Sequence, residues 1–279
     1  MSALSAAGIL LVGGGKMGGA LAQGWLAKGL KPQAVTVVET SPETARMIAS
    51  RLGVTVVDRP DKIDAAARPD VVVFAVKPQM MDGAAPGYRR FVRPETVFLS
   101  IAAGKSIAYF ETILGPEAAI VRSMPNTPAA VGRGMSVACA NRRATPEQVA
   151  RCRGLLEAVG DVAWIDDEKL LDAVTATSGS GPAYVFLLVE CLAVAGVAAG
   201  LPRQLAERLA RATIVGSGEL LARSTESPAV LRQNVTSPAG TTAAALAVLM
   251  ASDGLQPLLT RAVAAAADRS RELGGEPKR

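Results

Sequence analysis

Residues 8 to 18 read Gly-Ile-Leu-Leu-Val-Gly-Gly-Gly-Lys-Met-Gly, an apolar run that ends in a glycine loop. The loop fits the pattern G-x-G-x-x-G, and it is followed by a helical pattern over 19–28 and a second short strand over 34–39. Strand, glycine loop, helix and strand in this order form the context that a dinucleotide-binding loop requires, whereas the bare pattern also occurs in plain glycine-rich turns. The segment therefore predicts a dinucleotide-binding α/β domain.

Each glycine of the pattern has its own role in this hypothesis. Gly13 permits the tight turn, Gly15 lets the backbone approach a pyrophosphate, and Gly18 lets the helix and the strand pack closely. Lys16 and Met17 lie between these glycines, and we expect all five residues to contact the cofactor.

Glu39 ends the second strand, about twenty residues beyond the loop. An acid at this position can accept a hydrogen bond from the ribose 2′-hydroxyl of NAD, and it repels the 2′-phosphate of NADP. The alternative is a solvated carboxylate at a strand end. Thr40 and Ser41 can still receive a phosphate, so the choice between NADH and NADPH stays open.

Strands alternate with helical segments as far as residue 165, which predicts a Rossmann-like, doubly wound parallel sheet. Ligands of such sheets bind at the carboxyl ends of the strands, where small residues let a nicotinamide approach the backbone. For Lys77 by itself, a solvated surface charge is as good an interpretation as a contact with the ligand. The remaining strands are predicted at 54–57, 71–76, 96–101, 119–122, 135–140 and 161–165. The expected cofactor contacts after the fourth and fifth strands are Ala75, Val76, Lys77, Pro78, Ala102 and Ala103.

Helices take over after residue 165. We therefore predict a dinucleotide-binding domain over 1–165 and an all-helical substrate and dimerisation domain over 166–279. Residues 183–199 are nearly all apolar, but Glu190 interrupts them and the run is short for a bilayer span, so we expect no membrane. So much apolar helix is hard to cover within one chain, and we expect interleaved helices in a homodimer or a higher homo-oligomer.

Residues 234–242 read Asn-Val-Thr-Ser-Pro-Ala-Gly-Thr-Thr and separate two helical segments. Ser237 suits an N-cap and Pro238 the first helical position, which leaves the following N–H groups free to bind an anion. The alternative is an ordinary helix start. The functional hypothesis is that the N–H groups hold a substrate carboxylate, with a threonine hydroxyl over the reacting atom.

The composition excludes several classes of chemistry. The 279 residues include no histidine, and residues 171–277 include no lysine, which excludes Ser-His-Asp hydrolysis and histidine-based proton transfer. The three cysteines are far apart and in no metal-ligand spacing, which indicates free thiols of a cytoplasmic protein and no metal site. The net charge of +5 comes from scattered arginines without interleaved aromatic residues, so we expect no nucleic-acid partner.

The chain resembles the pyrroline-5-carboxylate reductase family in six motifs that follow the family's order and cover nearly the whole sequence. Ala239 departs from the pattern, because the family usually has a second glycine after the proline. We expect a methyl group to be tolerated there, since it is compatible with helical geometry. The matching motifs are GGGKMGGA at 13–20, AVKPQ at 75–79, MPNTP at 124–128, SGSGPAY at 178–184, GLPR at 200–203 and VTSPAGTT at 235–242.

The resemblance implies hydride transfer from NADPH or NADH to the cyclic imine 1-pyrroline-5-carboxylate, which gives L-proline in the last step of proline biosynthesis. It implies that Thr242 is the catalytic residue, hydrogen-bonded to the ring nitrogen, and that Asn234 lies near the cofactor. Glu226 is expected to come from the partner subunit. The implied substrate contacts are Glu168, Glu226, Ser237, Gly240, Thr241 and Thr242.

Three other functions remain as alternatives. A β-hydroxyacid dehydrogenase shares a glycine loop and a helical second domain, but its lysine on a second-domain helix has no counterpart here. An imine reductase acting on a different cyclic imine is harder to exclude. A dinucleotide-binding scaffold or redox sensor without turnover is the third.

Overall fold

The computed structural model describes residues 7–274, and within them eight strands form one sheet. The apolar runs read from the sequence form all eight, and those of the central strands are near-continuous because both faces are buried. The strands are β1 (Ile9–Val12), β2 (Val35–Val38), β3 (Thr55–Val57), β4 (Val71–Phe74), β5 (Val97–Ser100), β6 (Ala119–Met124), β7 (Gly134–Ala140) and β8 (Gly160–Trp164). Their order across the sheet is β3-β2-β1-β4-β5-β6-β7-β8.

The sheet is parallel with one exception. Neighbouring strands from β3 to β6 run parallel, and β7 pairs in parallel with β8. β7 runs antiparallel to β6, a reversal that the prediction of a doubly wound parallel sheet did not include. The connection over residues 125–133 contains only a 3₁₀ turn at Thr127–Val131. A parallel pair needs a crossover of a dozen or more residues, so this short link reverses the chain instead.

Helices cover both faces of the sheet. On one face Ile9 and Leu11 of β1 pack in an apolar cluster with Trp25, whose indole N–H donates to the carbonyl oxygen of Leu155 at 2.9 Å. Leu10 belongs to a second cluster on the other face. This alternation is that of a doubly wound α/β sheet, as predicted. The helices of this part are α1 (Lys16–Ala27), α2 (Pro42–Leu52), α3 (Met81–Ala84), α4 (Ile107–Leu114), α5 (Pro146–Glu157) and α6 (Leu171–Val174). Shorter turns are 3₁₀ helices at Pro32–Ala34, Pro60–Lys62, Pro78–Met80, Ala85–Phe91 and Glu168–Leu170, and a π-helix at Thr175–Gly179.

The described residues divide into two compact units that differ from the predicted domains. The first unit comprises residues 7–179 and 266–274, and the second comprises 180–265. Residues 166–179 stay with the sheet because Leu171 is buried against β7. The last helical turns join the same unit, where the Ser270 hydroxyl donates to Asp172 Oδ1 at 2.6 Å. The end of the strand pattern therefore marks a change of secondary structure and not the edge of the compact unit.

The second unit is helical, as predicted. Gly200, with a φ of +100°, lies between the first two helices. Large apolar side chains of the first helix, α7 (Gly181–Ala198), are exposed in the single chain, including Phe186 (62%) and Val194 (65%). By length and composition alone, Glu168–Ala198 is the one helical stretch among residues 7–274 that could cross a membrane. The helices are α7 (Gly181–Ala198), α8 (Arg203–Arg223), α9 (Pro228–Asn234), α10 (Thr241–Leu249) and α11 (Leu255–Leu273), whose last turns belong to the first unit.

The packing of α1 on the strands predicts opposite effects of two neighbouring glycine substitutions. A Cβ at Gly18 would lie 2.1 Å from the carbonyl oxygen of Gly13, which is backbone and cannot move aside. We expect Gly18→Ala to lower the free energy of unfolding by about 1–3 kcal/mol, measured by chemical denaturation without cofactor.

Gly19→Ala is the matched control, because a Cβ there would meet only the carbonyl oxygen of Gly14, at 3.6 Å. In the same helix, Gly19→Ala should leave the free energy of unfolding unchanged or raise it by up to about 1 kcal/mol, because alanine has the higher helix propensity. Equal effects of the two substitutions would contradict the close-packing argument for Gly18.

Candidate active site

The glycine loop joins β1 to α1 and is closed on one side and open on the other. Gly13 has a φ of +96°, and a Cβ there would lie 2.8 Å from Val76 Cγ1 and 2.9 Å from the carbonyl oxygen of Ala75. A Cβ at Gly15 would meet no heavy atom within 4 Å. The backbone of the loop is therefore accessible beside the start of α1, where unpaired N–H groups favour an anion. This cradle fits the diphosphate of a dinucleotide.

Glu39 follows β2 directly and reaches back to the glycine loop. Its Oε2 accepts a hydrogen bond from the Gly14 N–H and its Oε1 one from the Ser41 N–H, both at 2.8 Å. A cleft of about 470 Å³ lies beside the loop and is bordered by α2, with Thr44, Met47 and Arg51 among its lining residues. The predicted acid is thus fixed by two backbone donors at the edge of a space that a nucleotide can enter.

The other predicted cofactor residues lie at the same edge of the sheet. β4 and β5 are parallel neighbours, with Phe74 opposite Ser100, so the segments that follow them emerge side by side. Lys77 is exposed and precedes the 3₁₀ turn at Pro78–Met80. Ala102 is buried, and its N–H donates to Ser100 Oγ at 3.2 Å. The fold therefore gathers the glycine loop, Glu39, residues 75–78 and residues 102–103 at the carboxyl ends of four strands.

The polar stretch of the second unit forms a turn before it forms a helix. The Gly240 N–H donates to the carbonyl oxygen of Ser237 at 3.1 Å, and α10 begins at Thr241 with Gly240 as its N-cap. The prediction that Ser237 caps the helix and Pro238 opens it is therefore wrong. Proline fits the second position of a tight turn as well as the first position of a helix. The free N–H groups belong to a helix that starts with Thr241 and Thr242.

Ala239 adopts a left-handed conformation, with a φ of +56°, and it is the one non-glycine residue with positive φ in residues 7–274. The expectation that its methyl group sits in helical geometry is wrong. For an L-residue with a Cβ this conformation is less favourable by roughly 1–2 kcal/mol in conformational free energy, whereas glycine has no such cost. The departure from the glycine usual at this position therefore places strain directly before α10.

Two predicted site residues of the second unit are hydrogen-bonded to each other. Asn234 ends α9, and its Nδ2 donates to Glu226 Oε2 at 3.1 Å. The helix between them is capped by Ser227, whose Oγ accepts from the Val230 N–H. The hydroxyl of Thr236 is directed to the carbonyl oxygen of Arg232, at 2.6 Å. Short-range contacts thus bring Glu226 and Asn234 together without any tertiary partner.

Glu168 belongs to the first unit and holds an internal ion pair. Its Oε1 accepts from Arg122 Nη1 at 2.7 Å and from the Ile107 N–H at the start of α4 at 2.8 Å. Arg122 is 7% exposed. Burial raises the pKa of the nearby Cys139 thiol to about 12, and the Glu168 carboxylate adds to the effect, so this thiol stays protonated and unreactive.

Asn126 was indicated by the sequence only as part of the motif MPNTP at 124–128. Its Nδ2 donates to the carbonyl oxygen and to Oγ of Ser178, both at 3.2 Å, while its Oδ1 accepts from the Met135 N–H at 2.9 Å. The contact ties residues 124–128 to the π-helix Thr175–Gly179, an element found often at functional sites. One indication of this contact is present in the sequence, because residues 124–128 and 178–184 are both among the motifs quoted above.

A glycine loop that fits a dinucleotide, on a doubly wound sheet followed by a helical unit, is the architecture of nicotinamide-dinucleotide oxidoreductases. Residues 8–104 match the family described as NADP oxidoreductase coenzyme F420-dependent. Residues 168–273 match the family described as pyrroline-5-carboxylate reductase dimerisation.

Full-length relatives then decide the family. The pyrroline-5-carboxylate reductase of Pseudomonas aeruginosa is 40% identical over 265 residues, which cover 95% of this chain and 96% of that protein. That of Synechocystis sp. is 42% identical over 269 residues, with 95% and 97% coverage. The solved structure of the Coxiella burnetii reductase matches with a TM-score of 0.89 at 33% identity, covering 96% of this chain and 98% of that one. The chain belongs to the pyrroline-5-carboxylate reductase family.

The left-handed backbone at Ala239 generates a stability prediction. Ala239→Gly should raise the free energy of unfolding by up to about 1 kcal/mol, because relief of the strained φ exceeds the entropy that glycine adds to the unfolded chain. Ala244→Gly, an exposed helical position of α10, should instead lower it by about 0.5–1 kcal/mol. Chemical denaturation of both variants is the measurement, and an equal loss in both would refute a strained turn.

Proposed function

We propose that this chain reduces 1-pyrroline-5-carboxylate to L-proline, the last step of proline biosynthesis, with NADPH or NADH as the hydride donor. The observation that carries the proposal is the α10 helix start with two threonines in its first turn. It belongs to a chain that is 40% identical over 95% of its length to a pyrroline-5-carboxylate reductase. A β-hydroxyacid dehydrogenase would need a lysine on a helix of the second unit, and residues 171–277 of this chain contain no lysine.

The first unit holds the cofactor in this proposal. The N–H groups of the glycine loop and the start of α1, with Lys16 and Met17, bind the diphosphate. Residues 75–78 and Ala102 and Ala103 border the nicotinamide, where small side chains leave room for the ring. The bound nicotinamide supplies the hydride. The protein's own task is to hold the ring in place and to keep water away from it.

The second unit holds the substrate. The N–H groups of Thr241 and Thr242 lie in the first turn of α10, have no partner within the helix, and bind the substrate carboxylate. The Ser237 hydroxyl supports the same end, since its Oγ would lie 2.3 Å from a Cβ at Gly240. Gly240 must therefore be a glycine for this hydroxyl to reach the helix start.

Thr242 acts at the reacting bond. The imine carbon accepts the hydride, the carbon–nitrogen double bond becomes single, and the ring nitrogen retains a proton as the product amine. The Thr242 hydroxyl hydrogen-bonds this nitrogen, orients it and stabilises its protonated form. An imine nitrogen is basic enough to take its proton from water, which suits a chain without histidine.

The predicted glutamates divide into two roles. Glu226, paired with Asn234, reaches the substrate of a neighbouring subunit, and Asn234 lies near the cofactor. Glu168 acts through Arg122 and the start of α4, beside the cofactor edge, and reaches the substrate less directly.

The same proposal gives the assembly and the location. The exposed apolar face of α7 is covered by interleaved helices of a second copy, because the matching family domain is one of dimerisation. Three free cysteines fit the cytoplasm. We expect no membrane and no nucleic-acid partner. Gel filtration tests the assembly, and a monomer at micromolar concentration would refute it.

A spectrophotometric assay of the purified chain tests the reaction. Absorbance of NADH and NADPH at neutral pH should fall only when 1-pyrroline-5-carboxylate is present, with L-proline as the product by chromatography. A second cyclic imine without a carboxylate is the control, and it should react poorly because the α10 helix start then has no anion to bind. No oxidation with either cofactor would refute the proposed function.

The role of Thr242 is tested by Thr242→Ala. Turnover should fall by about 100-fold, because the hydrogen bond to the ring nitrogen is lost where positive charge is stabilised. The dissociation constant of NADH, measured by fluorescence, should stay within about twofold.

Thr236→Ala is the matched control in the same segment, since the Thr236 hydroxyl is already directed to a backbone carbonyl. Its turnover should remain within about threefold of the parent. Equal losses in both variants would remove Thr242 from the catalytic role.

A further inference from the structure

We propose that Glu39 is the specificity-determining residue that makes this chain prefer NADH to NADPH. The inference rests on the proposed function, which needs one of the two cofactors, and it deepens that function by choosing between them. The sequence left the choice open because Thr40 and Ser41 offered groups that can receive a phosphate. The structure shows that the Ser41 N–H and the Ser41 hydroxyl both have partners within the chain.

The Glu39 side chain is held in one place from three directions. Its backbone N–H donates to the carbonyl oxygen of Val57 at 2.9 Å, which anchors the residue beside β3. Its two carboxylate oxygens accept from the N–H groups of Gly14 and Ser41, each at 2.8 Å. The negative charge is therefore fixed between the glycine loop and the start of α2.

Two of the backbone donors that a 2′-phosphate could use at the start of α2 are already occupied. The Ser41 N–H is bonded to Glu39, and the Thr44 N–H is bonded to the Ser41 hydroxyl at 3.3 Å. Pro42 has no N–H to offer. The carboxylate of Glu39 thus takes the place at the start of α2 that an external anion would otherwise take.

The charge of the segment opposes a phosphate as well. Residues 32–45 contain two acids, Glu39 and Glu43, and no lysine or arginine. Arg46 is the first cation after them and lies beyond the first turn of α2. A doubly charged phosphate beside a fixed carboxylate is repelled, whereas a phosphate-binding segment supplies an arginine or a lysine.

A ribose hydroxyl meets the opposite situation. Each oxygen of an ionised carboxylate can accept about two hydrogen bonds, so Glu39 can accept one from a 2′-hydroxyl and keep both backbone bonds. NADH therefore gains a charge-assisted hydrogen bond at no cost to the loop. NADPH must either displace the carboxylate or place its phosphate against it, with no lysine or arginine in residues 32–45 to compensate.

Fluorescence titration of the full chain with each reduced cofactor, without imine substrate, tests the proposal. The parent protein should bind NADH at least about tenfold more tightly than NADPH. Glu39→Ser, which removes the charge and frees the Gly14 and Ser41 N–H groups, should weaken NADH binding and strengthen NADPH binding. Glu39→Gln should shift the ratio in the same direction if the serine variant does not fold.

Glu43→Gln is the matched control, because it removes a nearby acid in the first turn of α2. It should leave the ratio of NADH affinity to NADPH affinity within about twofold of the parent. Tighter binding of NADPH by the parent would overturn the proposal. So would equal weakening of both cofactors in the Glu39 variants, which would reduce Glu39 to a support of the loop. Binding is measured without turnover, so a chain that prefers NADH but does not reduce the imine would fail the proposed function alone.

Discussion

The direct contact between α1 and the ends of β1 and β4 is the constraint on which the first unit depends. Gly18 lies against the carbonyl oxygen of Gly13, and Gly13 lies against Ala75 and Val76, so α1 and the end of β1 meet through glycines. In the same loop the Gly14 N–H donates to Glu39. The proposed nucleotide cradle, selectivity residue and nicotinamide edge all lie next to this close contact.

The proposed substrate site of the second unit is built by local contacts. A turn of four residues, and not a cap by the Ser237 side chain, leads the chain to Thr241, so the first turn of α10 presents N–H groups and two hydroxyls together. Ala239 makes this turn at a conformational cost that glycine would not have. The pair of Glu226 and Asn234 across α9 is equally local. Such a site depends on few distant contacts, and short motifs in the sequence can specify most of it.

Apolar runs and turn residues were sufficient to predict all eight strands and the long helices, because burial on both faces leaves a continuous hydrophobic signal. They were insufficient where an outcome depends on partners far along the chain. The reversal of β7 depends on the length of its link to β6, and the ion pair of Arg122 with Glu168 depends on tertiary packing. The start of α10 was misplaced for another reason, since Ser-Pro is a signature of turns and of helix starts alike.

The return of α11 to the first unit has a consequence for synthesis on the ribosome. A chain that emerges from its N-terminus forms the sheet early, yet the partner of Asp172 is Ser270, and Gly104 lies against the backbone of Leu273. Gly104 directly follows the two alanines at the nicotinamide edge. These contacts of α11 with the first unit therefore form only after translation has passed the whole helical unit, so a chain stalled earlier holds the sheet without them.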